Sequence, residues 1–123
     1  MEQFSVSTGV REGFQVVAVR GELDELTAPD LELEIDGHRF DWPVIVDLSD
    51  VEFISSAGLH VLLCHRPEQV AIVCPPGNIR RVLDIVRAGN RVPIFSDLDS
   101  ATQSLTLTRR VRDPVGSGTE SRR

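Results

Sequence analysis

Two adjacent serines, Ser55 and Ser56, stand where the sequence could most readily support chemistry. They follow a strand-like apolar run and precede Gly58 at the start of a helical pattern. A serine at a helix start can cap the free backbone N–H groups. The same groups and the positive end of the helix dipole also favour a phosphate, which would add about −1.5 to −2 charges. Spacing alone therefore leaves two interpretations open, a plain N-cap and a phosphorylation switch.

Ser56, His60 and the distant Asp24 also have the residue types of a hydrolase nucleophile, base and orienting acid. The corresponding elbow motif, G-x-S-x-G, needs a glycine where this chain has Ile54. The chain also lacks a glycine-rich phosphate-binding loop. The sequence therefore predicts a protein that is not an enzyme and that needs no cofactor.

The two cysteines, Cys64 and Cys74, form neither a C-x-x-C pair nor a zinc-ligand spacing with the three separated histidines. We therefore predict no metal site. Both cysteines stand in apolar runs, where a thiol behaves as a small hydrophobe. A redox pair is the second interpretation, and it requires that their two elements be neighbours.

The length and charge of the chain limit the kinds of partner. The 123 residues suit one domain. The net charge of −6 disfavours nucleic-acid binding. Residues 1–52 hold 13 acids and 3 arginines, so an acidic surface could recognise a basic partner or simply be solvated. No apolar run could cross a membrane and no secretory signal is visible, so we expect a cytoplasmic protein without membrane association.

Strand and helix patterns alternate along the chain, which predicts an α/β fold with a mixed sheet opened by an N-terminal hairpin and packed with about four helices. We predict a turn at Ser49–Asp50. Residues 31–36 fit either a strand or a helix, and a cap at Thr27 favours the helix. Strands are expected at 4–6, 14–19, 43–48, 70–73 and 92–95, and helices from Thr27, Ser55, Asn78 (as a cap) and Ser96, the last ending near Leu107. The domain is expected to span 1–107, with a disordered tail at 108–123.

Two motifs resemble those of the STAS domain family, and of its anti-sigma factor antagonist branch in particular. Residues 44–59 read V-I-V-D-L-S-D-V-E-F-I-S-S-A-G-L, similar to the antagonist pattern D-L-S-x-V-x-F-x-D-S-S-G-L. Residues 21–29 resemble the family's G-E-L-D-x-x-T-A-P. The resemblance covers about residues 4–107 and implies a single STAS-like domain.

The resemblance also implies a role for individual residues. Ser56 corresponds to the phosphoacceptor, Asp24 to an aspartate near it, and Gly58 to the helix-start glycine. With Thr27 and Ser55 they form the expected partner-binding set. The implied partner is an anti-sigma factor that is also a serine kinase. Binding it frees a sigma factor, phosphorylation ends the complex, and a serine phosphatase resets the antagonist. Independently of the resemblance, we expect an acidic monomer, because no surplus exposed apolar stripe is evident in the sequence.

Two departures from the family pattern leave an alternative open. Ser55 replaces the usual aspartate before the acceptor, which removes an acidic neighbour used in kinase recognition, and Ala57 replaces a common serine. The helix after Gly58 is also short. The alternative is a STAS binding or scaffold module that is not phosphorylated and that senses redox state through Cys64 and Cys74.

Overall fold

The computed structural model describes residues 3–38 and 42–112. Within these residues, five strands form one mixed sheet in sequential order, with the first pair antiparallel and the rest parallel. This confirms the predicted α/β class and the hairpin opening. The strands are β1 (Ser5–Arg11), β2 (Phe14–Leu23), β3 (Val44–Ile54), β4 (Val70–Val73) and β5 (Ile94–Phe95). The α-helices are α1 (Ala28–Asp36), α2 (Ser56–His60), α3 (Asn78–Ile85) and α4 (Leu98–Arg112).

The opening hairpin turns through Glu12 and Gly13, whose φ angles are +54° and +83°. Two consecutive residues at positive φ are typical of the two-residue turns that match the twist of antiparallel strands. The tight turn lets β1 pair with β2 from Ser5 to Arg11, so both strands are longer than the sequence predicted.

Strand β3 continues through the predicted turn at Ser49–Asp50, so that prediction is wrong. β2 pairs with β3 as far as Ile54, whereas the pairing of β4 with β3 ends at Val73, opposite Asp47. The carboxylate of Asp47 accepts hydrogen bonds from the Ser49 backbone N–H (3.0 Å) and hydroxyl (2.6 Å). These local hydrogen bonds resemble those of a turn. The chain does not reverse direction here, and β3 instead continues with a shift in its register against β2.

The two faces of the sheet bury separate apolar clusters. One cluster joins the sheet to α1, α3 and the π-helical segment Val61–His65 that continues α2. The other joins it to α4. Ala28, Leu31 and Ile35 are the buried face of α1, so the helical interpretation of residues 31–36 is confirmed.

Several predicted element ends differ from the structure. Gly77, not Asn78, occupies the N-cap position of α3. The last helix runs past Leu107 to Arg112, helped by the Arg109 guanidinium, which stacks 4.5 Å from the ring centre of Phe14. Residues 108–112 of the predicted tail are thus helical, and residues 113–123 lie outside the described residues. Within the described ranges, no helix is both long enough and apolar enough to cross a membrane.

Candidate functional site

The candidate site lies at the carboxyl ends of β2 and β3, which are parallel neighbours. Leu23 and Ile54 are their last paired residues. The Ser55 N–H then donates to the Leu23 carbonyl oxygen at 3.0 Å. Asp24 and Ser56 therefore each lie one residue beyond the hydrogen-bonded pair Leu23 and Ser55. The fold brings together the two segments that carry the sequence motifs.

The two serines at the start of α2 have different surroundings. Ser55 is the N-cap residue, and its Oγ accepts from the Gly58 N–H at 3.4 Å. Ser56 is the first helical residue and is exposed, and its hydroxyl has no hydrogen bond within the described part of the chain. The capping role therefore belongs to Ser55 and not to Ser56.

Gly58 allows α2 to approach the end of β2 closely. A Cβ at this position would lie 2.7 Å from the Leu23 carbonyl oxygen, 2.9 Å from Leu23 Cγ and 3.0 Å from Ile54 Cγ1. Real Cβ atoms do not come this close to a backbone oxygen, so only glycine fits without a shift of the helix. Gly58 therefore fixes where Ser55 and Ser56 stand relative to Asp24.

Asp24 and Thr27 build the turn that leads from β2 into α1. One Asp24 carboxylate oxygen accepts from the N–H groups of Leu26 (3.0 Å) and Thr27 (3.2 Å). Thr27 Oγ1 accepts from the Asp24 N–H (2.8 Å) and lies 2.7 Å from the Glu22 carbonyl, to which it donates. The Thr27 side chain therefore holds the turn and does not cap α1, contrary to the sequence prediction. The other Asp24 oxygen has no hydrogen bond among the described residues.

The surface around these residues combines acidic and apolar side chains. Residues 22–27 and 52–59 contain four carboxylates and no arginine. Leu26 is 87% exposed and Phe53 is 50% exposed. The sequence does not single out either residue, because only the fold shows that these two apolar side chains point to solvent. Such a surface suits a partner with positive charge around an apolar contact.

The hydrolase arrangement does not form. Ser56 and His60 are both exposed, and no hydrogen bond joins their side chains. Ser56 has no general base within hydrogen-bond reach in the described structure, so the geometry supports a binding or modification site better than a nucleophile.

The cysteines differ from each other more than the sequence indicated. Cys74 is buried just beyond β4, and burial raises the pKa of its thiol, which keeps it protonated and less reactive. Cys64 is exposed on the π-helical segment, so its predicted apolar environment is wrong. Its position four residues after the exposed His60 turns it away from the core. The two are free thiols in this structure.

His65 has carboxylate neighbours that the sequence did not predict. Its Nε2 lies 2.7 Å from an Asp36 oxygen and its Nδ1 lies 3.6 Å from a Glu32 oxygen, while Arg66 Nε donates to the same Asp36 oxygen at 2.7 Å. Arg66 and then His65 lower the pKa of Asp36. Both ring nitrogens and an arginine already engage the carboxylates, so the group is better described as an ion-pair cluster joining α1 to the π-helical segment than as a metal site.

Comparison with known proteins agrees with this geometry. The STAS domain family matches residues 5–101. The chain belongs to the STAS domain family. An anti-sigma factor antagonist from Mycobacterium paratuberculosis is 30% identical in sequence and superposes with a TM-score of 0.75, covering 85% of this chain and 95% of its own. This confirms the antagonist branch that the motifs indicated. No curated protein sequence matches the chain.

Two structures of SpoIIAA share the fold of this STAS domain at lower identity. The anti-sigma factor antagonist SpoIIAA in its unphosphorylated form is 18% identical, with a TM-score of 0.56 and coverage of 89% of this chain and 98% of its own. The Bacillus cell fate determinant SpoIIAA in its phosphorylated form is also 18% identical, with a TM-score of 0.57 and coverage of 83% and 99%. At this identity they show the common fold.

Proposed function

We propose that this STAS domain is a cytoplasmic, monomeric anti-sigma factor antagonist without catalytic activity of its own. It binds an anti-sigma factor that is a serine kinase, which frees a sigma factor. Phosphorylation of Ser56 ends the complex, and a serine phosphatase resets it. The observation that carries the proposal is the exposed Ser56 hydroxyl, which has no hydrogen bond to any described residue, beside the capping Ser55.

A phosphate on Ser56 would change the surface without changing the fold. The Ser56 side chain contributes no hydrogen bond within the described structure, and the cap at Ser55 would stay in place. The added charge would stand at an edge that already carries the carboxylates of Asp24 and Glu52. A buried interface must then desolvate several like charges, which costs several kcal/mol by rough expectation. Since about 1.4 kcal/mol changes a dissociation constant tenfold, this is enough to switch a micromolar complex.

The direct test compares matched charge insertions one residue apart, measured by calorimetric binding to the purified anti-sigma factor. Ser56→Ala should bind as the unmodified protein does, and Ser56→Asp should bind at least about tenfold more weakly. Ser55→Asp adds the same charge at the cap, where aspartate is as good as serine. Because aspartate is also the usual residue at this position in the antagonist pattern, we expect this variant to keep most of the affinity. Wild-type affinity in Ser56→Asp would refute the switch.

Asp24 offers a second test because its charge and its hydrogen bonds can be separated. Asparagine keeps an oxygen that can accept from the Leu26 and Thr27 N–H groups. Asp24→Asn should therefore keep the midpoint of urea unfolding and weaken partner binding by several-fold. The control is Glu68→Gln, which removes one exposed charge from a 3₁₀ turn outside the site. Equal binding by Asp24→Asn and wild type would remove Asp24 from the partner-binding set.

A further inference from the structure

Helix α3 and the turn after it carry positive charge in an otherwise acidic chain. Residues 78–91 contain four arginines and one acid, while the whole chain has a net charge of −6. Arg80 is engaged, since it donates to the Cys74 carbonyl at 2.8 Å and pairs with Asp84 at 3.4 Å. The other three are exposed and have no ion pair within the described ranges: Arg81, Arg87 and Arg91.

Exposed apolar side chains lie among these arginines. Ile85 is 73% exposed, and Val86 is 44% exposed. Ile85 stands one helical turn after Arg81, and residues at this spacing are neighbours on a helix surface. Arg81, Ile85, Val86, Arg87 and Arg91 are called the basic α3 surface below.

Arg87 holds a backbone conformation that most residues avoid. Its φ and ψ are +57° and +44°, in the left-handed region that glycine adopts without strain. Hydrogen bonds fix the turn on both sides, from the Arg87 N–H to the Asp84 carbonyl (3.1 Å) and from the Asn90 N–H to the Arg87 carbonyl (3.0 Å). The cation is thus presented at the end of α3 by a rigid backbone, which lowers the entropy lost on binding.

The end of helix α3 lies at a different edge of the sheet from the Ser56 site. Helix α3 begins beyond the carboxyl end of β4 and leads back to β5, which runs parallel to β4. Its last turn, with Arg87, therefore lies toward the amino ends of the parallel strands. Ser56 lies beyond their carboxyl ends, so Arg87 and Ser56 stand at opposite edges of the sheet.

We infer that the basic α3 surface docks an acidic segment of a second protein that also presents an apolar side chain to Ile85 and Val86. Arginine is enriched at protein interfaces and pairs with carboxylates through two parallel hydrogen bonds. A nucleic-acid backbone would meet the repulsion of a chain with net charge −6 and would leave the apolar pair without a contact. The interaction is additional to the proposed switch and does not depend on it.

The test uses the full chain and a fluorescein-labelled peptide of about 14 residues, or four helical turns. The peptide is designed so that leucines lie on one face of its helix and glutamates lie on the adjacent face. Fluorescence anisotropy should show binding at low salt that weakens in about 0.5 M NaCl. Arg81→Glu and Ile85→Ser should each weaken binding, the former by about tenfold. The matched control Arg110→Glu reverses an exposed arginine on α4 and should leave binding within about twofold. Ser56→Asp should bind the peptide as wild type does, whatever its effect on the anti-sigma factor.

Four results would overturn the inference. The first is no binding by the wild-type chain at millimolar peptide, and the second is equal loss in Arg110→Glu and Arg81→Glu. The third is loss of peptide binding in Ser56→Asp, which would show that the peptide binds at the Ser56 site. The fourth comes from a photo-crosslinking residue in place of Ile85 in cells: a crosslink to a second copy or to nucleic acid contradicts the inference, whereas one to an acidic segment of another protein supports it.

Discussion

The close approach of α2 to β2 makes Gly58→Ala the sharpest test of how the site is built. The added methyl would stand 2.7 Å from the Leu23 carbonyl oxygen, which cannot yield easily because it also accepts the Ser55 N–H. Overpacking of this kind costs about 1–3 kcal/mol, and the better helix propensity of alanine recovers up to about 1 kcal/mol. With about 2 kcal/mol as the middle of the overpacking range and about 1 kcal/mol recovered, we expect a net loss of about 1 kcal/mol in the free energy of unfolding.

Urea unfolding followed by circular dichroism measures this loss, with Gly89→Ala as the matched control. A Cβ at Gly89 meets no atom of the described residues within 4 Å, so the control should stay within about 0.5 kcal/mol of wild type. The displaced helix start should also weaken binding to the anti-sigma factor under conditions where Gly58→Ala is fully folded. Equal unfolding midpoints and equal binding for Gly58→Ala and wild type would refute the reasoning.

Three further predictions concern the cap, acid stability and the thiols. Ser55→Ala should lower the free energy of unfolding by about 0.5–1 kcal/mol through loss of the cap, while Ser56→Ala should leave it within about 0.5 kcal/mol; equal losses would contradict the assignment of the cap. The pKa of Asp36 is lowered in the folded protein from its ordinary value of 3.8. Ionised Asp36 therefore stabilises the fold at pH values above 3.8, and this stabilisation is lost as the pH falls through the lowered pKa. The free energy of unfolding of Asp36→Asn should depend less on pH below about pH 4 than that of wild type. In the native protein Cys64 should react with iodoacetamide much faster than Cys74, whose burial raises its thiol pKa; comparable rates, measured by peptide mass spectrometry, would contradict the burial.

Much of the fold was predictable because local signals agreed with the tertiary structure. Leu31 and Ile35 are spaced to lie on one face of a helix, and in the structure this face of α1 is buried against the sheet. The motif around Asp24 and the motif around Ser56 could be expected to meet, because parallel strands end at a common edge. The sequence could not assign the cap, since Ser55 and Ser56 are equivalent until the backbone conformation at Ser55 is known.

The features that the sequence missed depend on neighbours distant in the chain. The Ser49–Asp50 pair has turn residues, yet β2 is long enough to keep β3 extended through it. Cys64 lies in an apolar run, and its exposure is set by which helix face meets the sheet. The contact between His65 and Asp36 joins residues 29 positions apart. The hydrophobic periodicity of the segments around Asp36 and His65 does not indicate that these two residues are in contact.

The central claim, that Ser56 is the switch, is tested most directly by capturing partners from native cell extract with ATP and locating phosphate on the bait by mass spectrometry. Wild type and Ser55→Ala serve as baits beside Ser56→Ala. We predict one phosphoryl group on Ser56 and little retained anti-sigma factor kinase with the first two baits, and an unmodified Ser56→Ala bait that holds the kinase. An unmodified wild-type bait holding that kinase, or phosphate on Ser55 in place of Ser56, would contradict the claim.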